Sequence, residues 1–268
     1  MAQIILSDDE FATFQKIIFN EVGISLASSK KMLVQSRLLK RVLFYKLNSY
    51  LEYLRLIQIN PQERTEMLNL ITTNETYFFR EIEQYEYLQK TIIPSLPFKH
   101  KFRFWSAASS VGAEAYSTAM LLDTMMARGD WQIVGTDINT EVVKKARIGL
   151  YPEVWADKIP LALKQAYCLK GKGSHEGKFL IERGLVENMK FDVGNLMKYN
   201  SDVGKFDVIF LRNVLIYFDN DTKQNVVDNV LMNLKVGGYF FISQTENLNM
   251  LKTPSLKQVE TSIYQKIK

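Results

Sequence analysis

The sequence predicts an α/β protein in which an all-helical N-terminal domain precedes a domain built on a mostly parallel sheet. Three observations predict this fold class. Apolar residues at helical spacing fill residues 1–95, and no strand-like alternation precedes Lys101. From Lys101 onward, short apolar runs alternate with amphipathic segments, which is typical of a parallel sheet covered by helices. Between about residues 167 and 187, four glycines flank short alternating residues, which indicates a small antiparallel insert.

The N-terminal helices are predicted from their caps and their apolar spacing. Ser7 and Glu10 form a capping box ahead of phenylalanine and isoleucine residues at helical spacing. A second helix fits residues 29–46. Ser49 is the cap predicted for a third helix, and Asn60, followed by proline, is the cap predicted for a fourth.

The second domain is predicted to hold five core strands and a sixth near the C-terminus that could lie at a sheet edge. These strands are predicted at residues 102–107, 132–138, 189–193, 206–211, 239–243 and 262–267. Helices are predicted between them at residues 114–128, 141–148 and 222–234. Gly237 and Gly238 are expected to form the turn into the strand at Tyr239. Within the insert, the alternating residues 178–182 are either a surface hairpin, which the composition favours, or an edge that docks an extended peptide.

The composition fits two domains, which we place at residues 1–95 and 96–268. Hydrophobic residues make up 47% and charged residues 24%, the balance of a globular protein. No apolar run reaches the ~18 residues of a membrane span, so we expect no direct membrane insertion. A single cysteine, Cys168, and two histidines argue against a disulfide and a metal centre. The net charge of +5 suits an acidic protein partner as well as nucleic acid.

Two strand ends in the second domain carry chemistry that suits a small zwitterionic ligand. Small residues follow the strand at 102–107, and the helix start that comes next, at residues 112–117, offers free N–H groups to a carboxylate. Glu114 in that helix can meet an ammonium group, and Asp137, after the next strand, can accept ribose hydroxyls. S-adenosylmethionine (SAM) carries all of these groups. A tight turn and an ordinary helix cap are the alternative interpretation.

Other nucleotide sites fit this pattern less well. A dinucleotide site needs G-x-G-x-x-G in the first turn, where only Gly112 is present, and no P-loop motif occurs. Asn195 and Leu196 follow a strand end, where they can read an adenine edge. Arg212, Asn213 and Tyr217 follow the core strand at 206–211 and are also site candidates, although Tyr217 alone could equally be a packing aromatic.

Six motifs along the chain together resemble the chemotaxis receptor methyltransferases of the CheR type. They are TTNETYFFRE at 72–81, WSAASSVGAEAYS at 105–117, TDIN at 136–139, NLM at 195–197, FDVIFLRNVLIYF at 206–218 and VGGYFFISQTE at 236–246. That family transfers a methyl group from SAM to glutamate side chains of chemoreceptors. The chain departs from the family pattern at Ala113 and Ala115, which replace Glu and Pro, and at Leu211, which replaces a cysteine.

The resemblance implies a Rossmann-like, SAM-dependent methyltransferase domain with S-adenosylhomocysteine (SAH) as its product. It implies that the cofactor is bound by Asn74, Thr76, Arg80, Glu114, Asp137, Asn195, Leu196, Leu211, Arg212 and Asn213. Arg80 and Tyr217 match the family's proposed catalytic pair. A glutamate carboxylate is already a nucleophile near pH 7, so no general base is required, and we assign both residues orienting roles.

The resemblance also implies a cytoplasmic protein with a protein substrate and no nucleic acid partner. Arg37, Lys40 and Arg41 share one helix face by their spacing. The resemblance implies that this face meets the acidic, helical methylation region of the chemoreceptor cytoplasmic domain, whereas a solvated face is the alternative. The insert is expected to hold the receptor's C-terminal tail.

Two other functions are weighed against this one. A SAM enzyme acting on nucleic acid bases commonly has Asn/Asp-Pro-Pro-aromatic after the fourth strand, whereas this chain has Leu-Arg-Asn-Val at that place. A SAM-binding module without catalysis is the second alternative, and the changes at Ala113 and Ala115 motivate it.

Overall fold

The computed structural model describes residues 4–199 and 201–268, which divide into two compact units. A helical unit comprises the chain up to Thr73 together with Tyr217–Thr222, and a sheet unit comprises Asn74–Ile216 and Lys223–Lys268. The division therefore falls at Thr73, whereas the sequence placed it at residue 95. The segment between them joins the sheet unit because Phe79, Tyr85 and Leu88 are buried in the same apolar cluster as the central strands.

The helical unit contains the four helices that the sequence predicts. They are α1 (Asp8–Val22), α2 (Lys31–Phe44), α3 (Tyr50–Ile59) and α4 (Pro61–Ile71). The predicted caps are confirmed, since Ser7, Ser49 and Asn60 each accept a main-chain N–H in the first turn of their helix. The core is aromatic at its centre, where the Phe14 ring lies 6.5 Å from the Tyr50 ring and 6.2 Å from the Tyr53 ring.

A buried carboxylate on α4 ties this helix to α2 and α3. Glu63, only 2% exposed, accepts hydrogen bonds from Arg41 Nε at 2.8 Å, from Tyr53 at 2.7 Å and from Tyr45 at 2.9 Å. Burial alone would raise the pKa of the Glu63 carboxyl, but the hydrogen bonds from Arg41, Tyr53 and Tyr45 outweigh it, so the pKa lies below its usual value. The ionised carboxylate therefore stabilises the packing of the three helices.

Replacing Glu63 by glutamine should destabilise the helical unit by about 2 kcal/mol at neutral pH, because charge-assisted hydrogen bonds are lost. Since the folded pKa is lowered, the stabilisation is present above the unfolded pKa of about 4.3 and is lost as the pH falls through the folded value. Amide hydrogen exchange of α2 and α4 in the full chain measures both effects. Glu21→Gln, which weakens a half-exposed pair with Arg64, should change exchange little.

The rest of the chain holds ten strands and six helices among the described residues. The strands are β1 (Phe102–Ala107), β2 (Trp131–Asp137), β3 (Leu150–Pro152), β4 (Cys168–Lys170), β5 (Lys178–Ile181), β6 (Met189–Val193), β7 (Phe206–Leu211), β8 (Leu234–Phe241), β9 (Leu256–Glu260) and β10 (Ile263–Lys266). The helices are α5 (Ile82–Tyr87), α6 (Ala113–Met125), α7 (Thr140–Ile148), α8 (Leu161–Tyr167), α9 (Arg183–Val186) and α10 (Asn220–Leu231). None of the described helices combines the length and apolar character that crossing a membrane requires.

The main sheet is mostly parallel, as predicted. Its seven strands lie in the order β6-β2-β1-β7-β8-β10-β9, and β10 runs antiparallel to both of its neighbours. From β1, the chain builds the sheet first toward β2 and β6 and later toward β7 and β8. The strand order therefore reverses between β1 and β7, where Phe104 pairs with Val208, and ligands of such sheets bind beyond the carboxyl ends of the strands at this point.

Four predictions at the C-terminal side of the sheet were wrong in detail. The predicted edge strand at 262–267 lies inside the sheet as β10, because the polar strand β9 forms the edge. The predicted helix at 222–234 ends at Leu231, and β8 begins at Leu234 rather than at Tyr239. The glycine pair lies within β8 at a break in its pairing with β7, where Gly237 has a φ of 81°.

The predicted antiparallel insert is confirmed as a separate three-stranded sheet with the order β3-β5-β4. Its strands β4 and β5 lie in the predicted range of about 167–187, whereas β3 lies further back at Leu150–Pro152. The sheet packs through aromatic side chains, with the Tyr151 ring 5.0 Å from Phe78 and 5.6 Å from Phe179. The contact with Phe78 packs the insert against the rest of the sheet unit.

Candidate active site

Three polar side chains meet at the point where the strand order reverses. Ser106, near the end of β1, donates a hydrogen bond of 2.6 Å to Glu114 Oε1 on α6. Arg212 follows β7 directly, and its Nε lies 3.5 Å from Glu114 Oε2. Burial raises the pKa of the Glu114 carboxyl, while Arg212 and Ser106 oppose the rise. The structure thus brings together Glu114 and Arg212, which the sequence placed in one site.

The Arg212 side chain is almost completely buried, at 1% exposure, among acidic and aromatic neighbours. One of its terminal nitrogens donates to the Arg80 carbonyl oxygen and lies 3.6 Å from Glu81 Oε2, and the guanidinium lies 5.2 Å from the centre of the Phe210 ring. Nε and Nη1 have no hydrogen-bond partner among the described residues. A buried guanidinium with unused donors suits a carboxylate ligand, and Glu114 beside it suits an ammonium group. This pair fits the amino-acid end of SAM.

Asp137 ends β2 and is held in one orientation by main-chain groups. Its Oδ2 accepts from the Ser110 N–H at 2.8 Å and its Oδ1 from the Asn139 N–H at 2.9 Å. Burial raises the pKa of the Asp137 carboxyl, although these N–H groups oppose the rise. Because a carboxylate has about four acceptor sites, a fixed Asp137 can still accept hydroxyl groups of a ligand. In the loop after β1, Ala108 and Ser110 adopt left-handed conformations, with φ values of 66° and 50°.

A depression with an empty volume of about 270 Å³, partly open to solvent, lies beyond the end of β6. It is lined by Trp105, Thr136, Gly194, Asn195, Leu196, Lys198, Asn229 and Val230. Asn195 Oδ1 accepts from the Met197 N–H at 3.0 Å, which holds the Asn195 side chain against the main chain two residues further on. The structure thus places the predicted adenine-binding residues Asn195 and Leu196 in one recess of the sheet unit.

The segment before α5 brings three further predicted residues to the sheet unit. The Asn74 carbonyl accepts from Ser110 Oγ at 2.9 Å, which ties this segment to the loop after β1. Thr76 and Arg80 are half-buried. The Arg80 Nη1 donates a long hydrogen bond of 3.4 Å to the Glu75 carbonyl. No salt bridge of Arg80 occurs within the described part of the chain, so its guanidinium retains donors for a ligand.

The remaining predicted residues follow β7 or belong to the helical unit. Leu211, the last residue of β7, has a fully buried side chain, so only its main chain is available to a ligand. Asn213 adopts a left-handed conformation with a φ of 57°. Tyr217 groups with the helical unit, where its carbonyl accepts from the Ser25 N–H at 2.8 Å.

The three basic residues predicted on one face of α2 have different environments. Arg37 donates to the Ile71 carbonyl at 2.6 Å, and Arg41 is bound to the buried Glu63. Lys40 is exposed. Two of the three side chains therefore stabilise the helical unit, and Lys40 is the one that projects into solvent.

The alanines that depart from the family pattern lie in the core. Ala113 and Ala115, at the start of α6, are both completely buried in the main apolar cluster. Their side chains pack within the sheet unit, so the substitutions leave Glu114 and Arg212 in place.

Sequence reasoning missed four polar residues near these groups. They are Ser106, Glu81, Ser243 and Glu246. Ser106 and Glu81 lie inside the motifs at 105–117 and 72–81, and Ser243 and Glu246 lie at the end of the motif at 236–246. A polar residue directly after or within a core strand was the signal that could have identified Ser106 and Ser243.

Comparison with known proteins gives consistent matches over most of the chain. Residues 74–264 match the family described as CheR methyltransferase, SAM binding domain, and residues 9–72 match the CheR methyltransferase, all-alpha domain. The chain is 36% identical over 255 residues to the chemotaxis protein methyltransferase of Escherichia coli K12, covering 93% of this chain and 88% of that protein. It is 35% identical over 262 residues to the chemotaxis protein methyltransferase of Salmonella typhimurium, covering 95% and 90%. It is 36% identical over 242 residues to chemotaxis protein methyltransferase 2 of Pseudomonas aeruginosa, covering 89% and 86%.

Proposed function

The chain belongs to the CheR family of chemotaxis methyltransferases, and we propose that it methylates glutamate side chains of chemoreceptors. The reaction consumes SAM and yields glutamate methyl esters and SAH. The observation that carries this proposal is the buried Arg212, which has two nitrogens without a hydrogen-bond partner and whose Nε lies 3.5 Å from Glu114 where the strand order reverses.

The cofactor would be held along the carboxyl edge of the sheet. Arg212 and Glu114 would bind its carboxylate and ammonium groups, and Asp137 its ribose hydroxyls. The adenine would meet Asn195 and Leu196. The remaining cofactor contacts are assigned to Asn74, Thr76, Arg80, Leu211 and Asn213. When bound, SAM supplies a methyl group on a sulfonium, which is strongly electrophilic.

The side chains need to orient the substrate rather than activate it. With a pKa of about 4.3, a glutamate carboxylate is ionised at neutral pH and is itself the nucleophile. Arg80 can clamp that carboxylate with two parallel N–H groups, and Tyr217 can add one hydroxyl donor. Arg80 and Tyr217 should not bind the substrate carboxylate too tightly, because only interactions kept in the transition state raise the rate.

The substrate would be the acidic helical methylation region in the cytoplasmic domain of a chemoreceptor, which places the reaction in the cytoplasm. Of the three basic residues assigned to meet that region, Lys40 on α2 is exposed, whereas Arg37 and Arg41 hold internal partners. The assay is transfer of a labelled methyl group from SAM to a purified receptor cytoplasmic fragment. A fragment whose methylation-region glutamates are replaced by alanine should remain unlabelled.

The small three-stranded sheet is proposed to hold the receptor's C-terminal tail as an added strand. Gly171 lies beside β4, where a Cβ would stand 2.0 Å from the His175 carbonyl oxygen. Gly171→Val should therefore distort the hairpin and slow methylation of a tail-bearing receptor about tenfold, through loss of tethering. SAM affinity should stay near normal, and Lys172→Ala, an exposed change beside it, should have little effect. Equal rates with and without the tail, in the unmodified enzyme, would show that no tether operates.

A further inference from the structure

Two turns beside the candidate site hold non-glycine residues in the left-handed region. Glu81, directly after Arg80, has a φ of 58°, and Asn213, directly after Arg212, has a φ of 57°. Glutamate keeps this conformation only when its surroundings over-determine it, whereas asparagine adopts it more readily. Each turn sets the direction in which one of the two arginines of the site leaves the main chain.

The Glu246 carboxylate binds the main chain of the turn at Asn213. Glu246 Oε2 accepts from the main-chain N–H groups of Asn213 and Ser243, both at 3.0 Å, and its Oε1 accepts from the Leu215 N–H at 2.9 Å. Burial raises the pKa of the Glu246 carboxyl, although these N–H groups oppose the rise. No salt bridge of Glu246 occurs within the described ranges, so main-chain dipoles alone compensate its charge.

The turn at Glu81 is joined to the turn at Asn213 through one buried hydroxyl. Ser243 has a fully buried side chain, and its Oγ donates to Glu81 Oε1 at 2.6 Å and accepts from Asn213 Nδ2 at 2.7 Å. The other oxygen of Glu81 accepts from the Gln244 N–H at 3.2 Å and lies 3.6 Å from Arg212. Ser243 thus connects the turn at Glu81 to the turn at Asn213, and Glu81 in addition lies beside Arg212.

We propose that Ser243 and Glu246 are positioning residues of the methyl-transfer site. Through Glu81 and Asn213 they fix the directions of Arg80 and Arg212 before any ligand binds, which lowers the ordering required on binding. The inference rests on the proposed function, because it depends on the substrate-binding role of Arg80 and the cofactor-binding role of Arg212. Neither Ser243 nor Glu246 has to touch the cofactor or the substrate.

Ser243→Ala removes only the bridging hydroxyl and is the first test. We expect the kcat of receptor methylation to fall about tenfold and SAH affinity to fall several-fold, since a buried hydrogen-bond network loses its centre. The KM for the receptor should stay unchanged. Gln244→Ala, which keeps the main-chain N–H that Glu81 uses, is the matched control and should behave like the unmodified protein.

Calorimetry with SAH separates positioning from a merely structural role. A structural role would reduce the fraction of protein that binds SAH and leave the affinity of that fraction unchanged, and this result would overturn the proposal. Amide exchange gives a second readout that needs no activity, because Glu246→Gln should speed exchange of the Asn213 and Leu215 amides at least tenfold. Unchanged exchange would overturn the clamp assigned to Glu246. An unmodified protein that binds no SAH would instead contradict the proposed function.

Discussion

Arg80→Ala should lower the rate of receptor methylation roughly a thousandfold, about 4 kcal/mol of transition-state stabilisation. Arg80 carries no salt bridge within the described residues, and its guanidinium is half-buried beside Glu75 and Tyr77. We therefore expect its donors to hold the attacking glutamate carboxylate in line with the methyl group of SAM. Without the Arg80 side chain, the carboxylate can rotate away from this orientation. Initial rates with saturating SAM and receptor measure the effect.

Two further variants test the role assigned to Arg80. Arg80→Lys keeps the charge but lacks the planar fork, so it should recover only a minor part of the rate. Tyr217→Phe should be milder than Arg80→Ala, because the ring survives and one donor is lost. A far greater loss in Tyr217→Phe than in Arg80→Ala would show that the assigned roles are wrong.

Asp137→Ala should weaken SAH and SAM binding roughly a hundredfold, about 2.7 kcal/mol. The carboxylate is expected to accept the ribose hydroxyls, and it also fixes the Ser110 and Asn139 N–H groups that shape the turns around it. The variant loses both the ligand contact and this support. Titration calorimetry measures the affinity.

Asp192→Ala on β6 is the matched control for this loss of charge. Asp192 pairs with Arg147 and Lys190 at the surface of the sheet unit and has no part in the proposed cofactor site. Its removal should leave SAH affinity within about twofold, since exposed pairs contribute little. If Asp137→Ala kept normal affinity while remaining folded, the ribose assignment would be abandoned.

The elements predicted best from the sequence are those whose apolar runs end sharply. The predicted bounds of β1, β6 and β7 match the structure, because polar or small residues close each run. β8 was misjudged because its glycine pair looked like a turn, and β9 was missed because its strand is polar and half-exposed. The local sequence pattern does not show whether a glycine pair ends a strand or only interrupts its pairing with the neighbouring strand, as it does in β8.

Some residues of the candidate site could be predicted from local sequence pattern, whereas others depend on contacts between residues far apart in the chain. Glu114 and Asp137 could be found because each lies at or shortly after the end of a strand that the sequence pattern reveals. The bridge from Ser243 to Glu81 joins residues 162 positions apart, and no local pattern shows such a contact. Spacing placed Arg37 and Arg41 on one face of α2, but their internal partners come from α4 and its end.

Mapping of labelled methyl groups on the receptor tests the central claim most directly. The unmodified protein, labelled SAM and a receptor cytoplasmic fragment should give label that alkali releases and that peptide mapping assigns to glutamates of the helical methylation region. Alkali lability identifies an ester and separates it from methylation on nitrogen. Alkali-stable label, or no label from a protein that binds SAH normally, would contradict the proposed reaction.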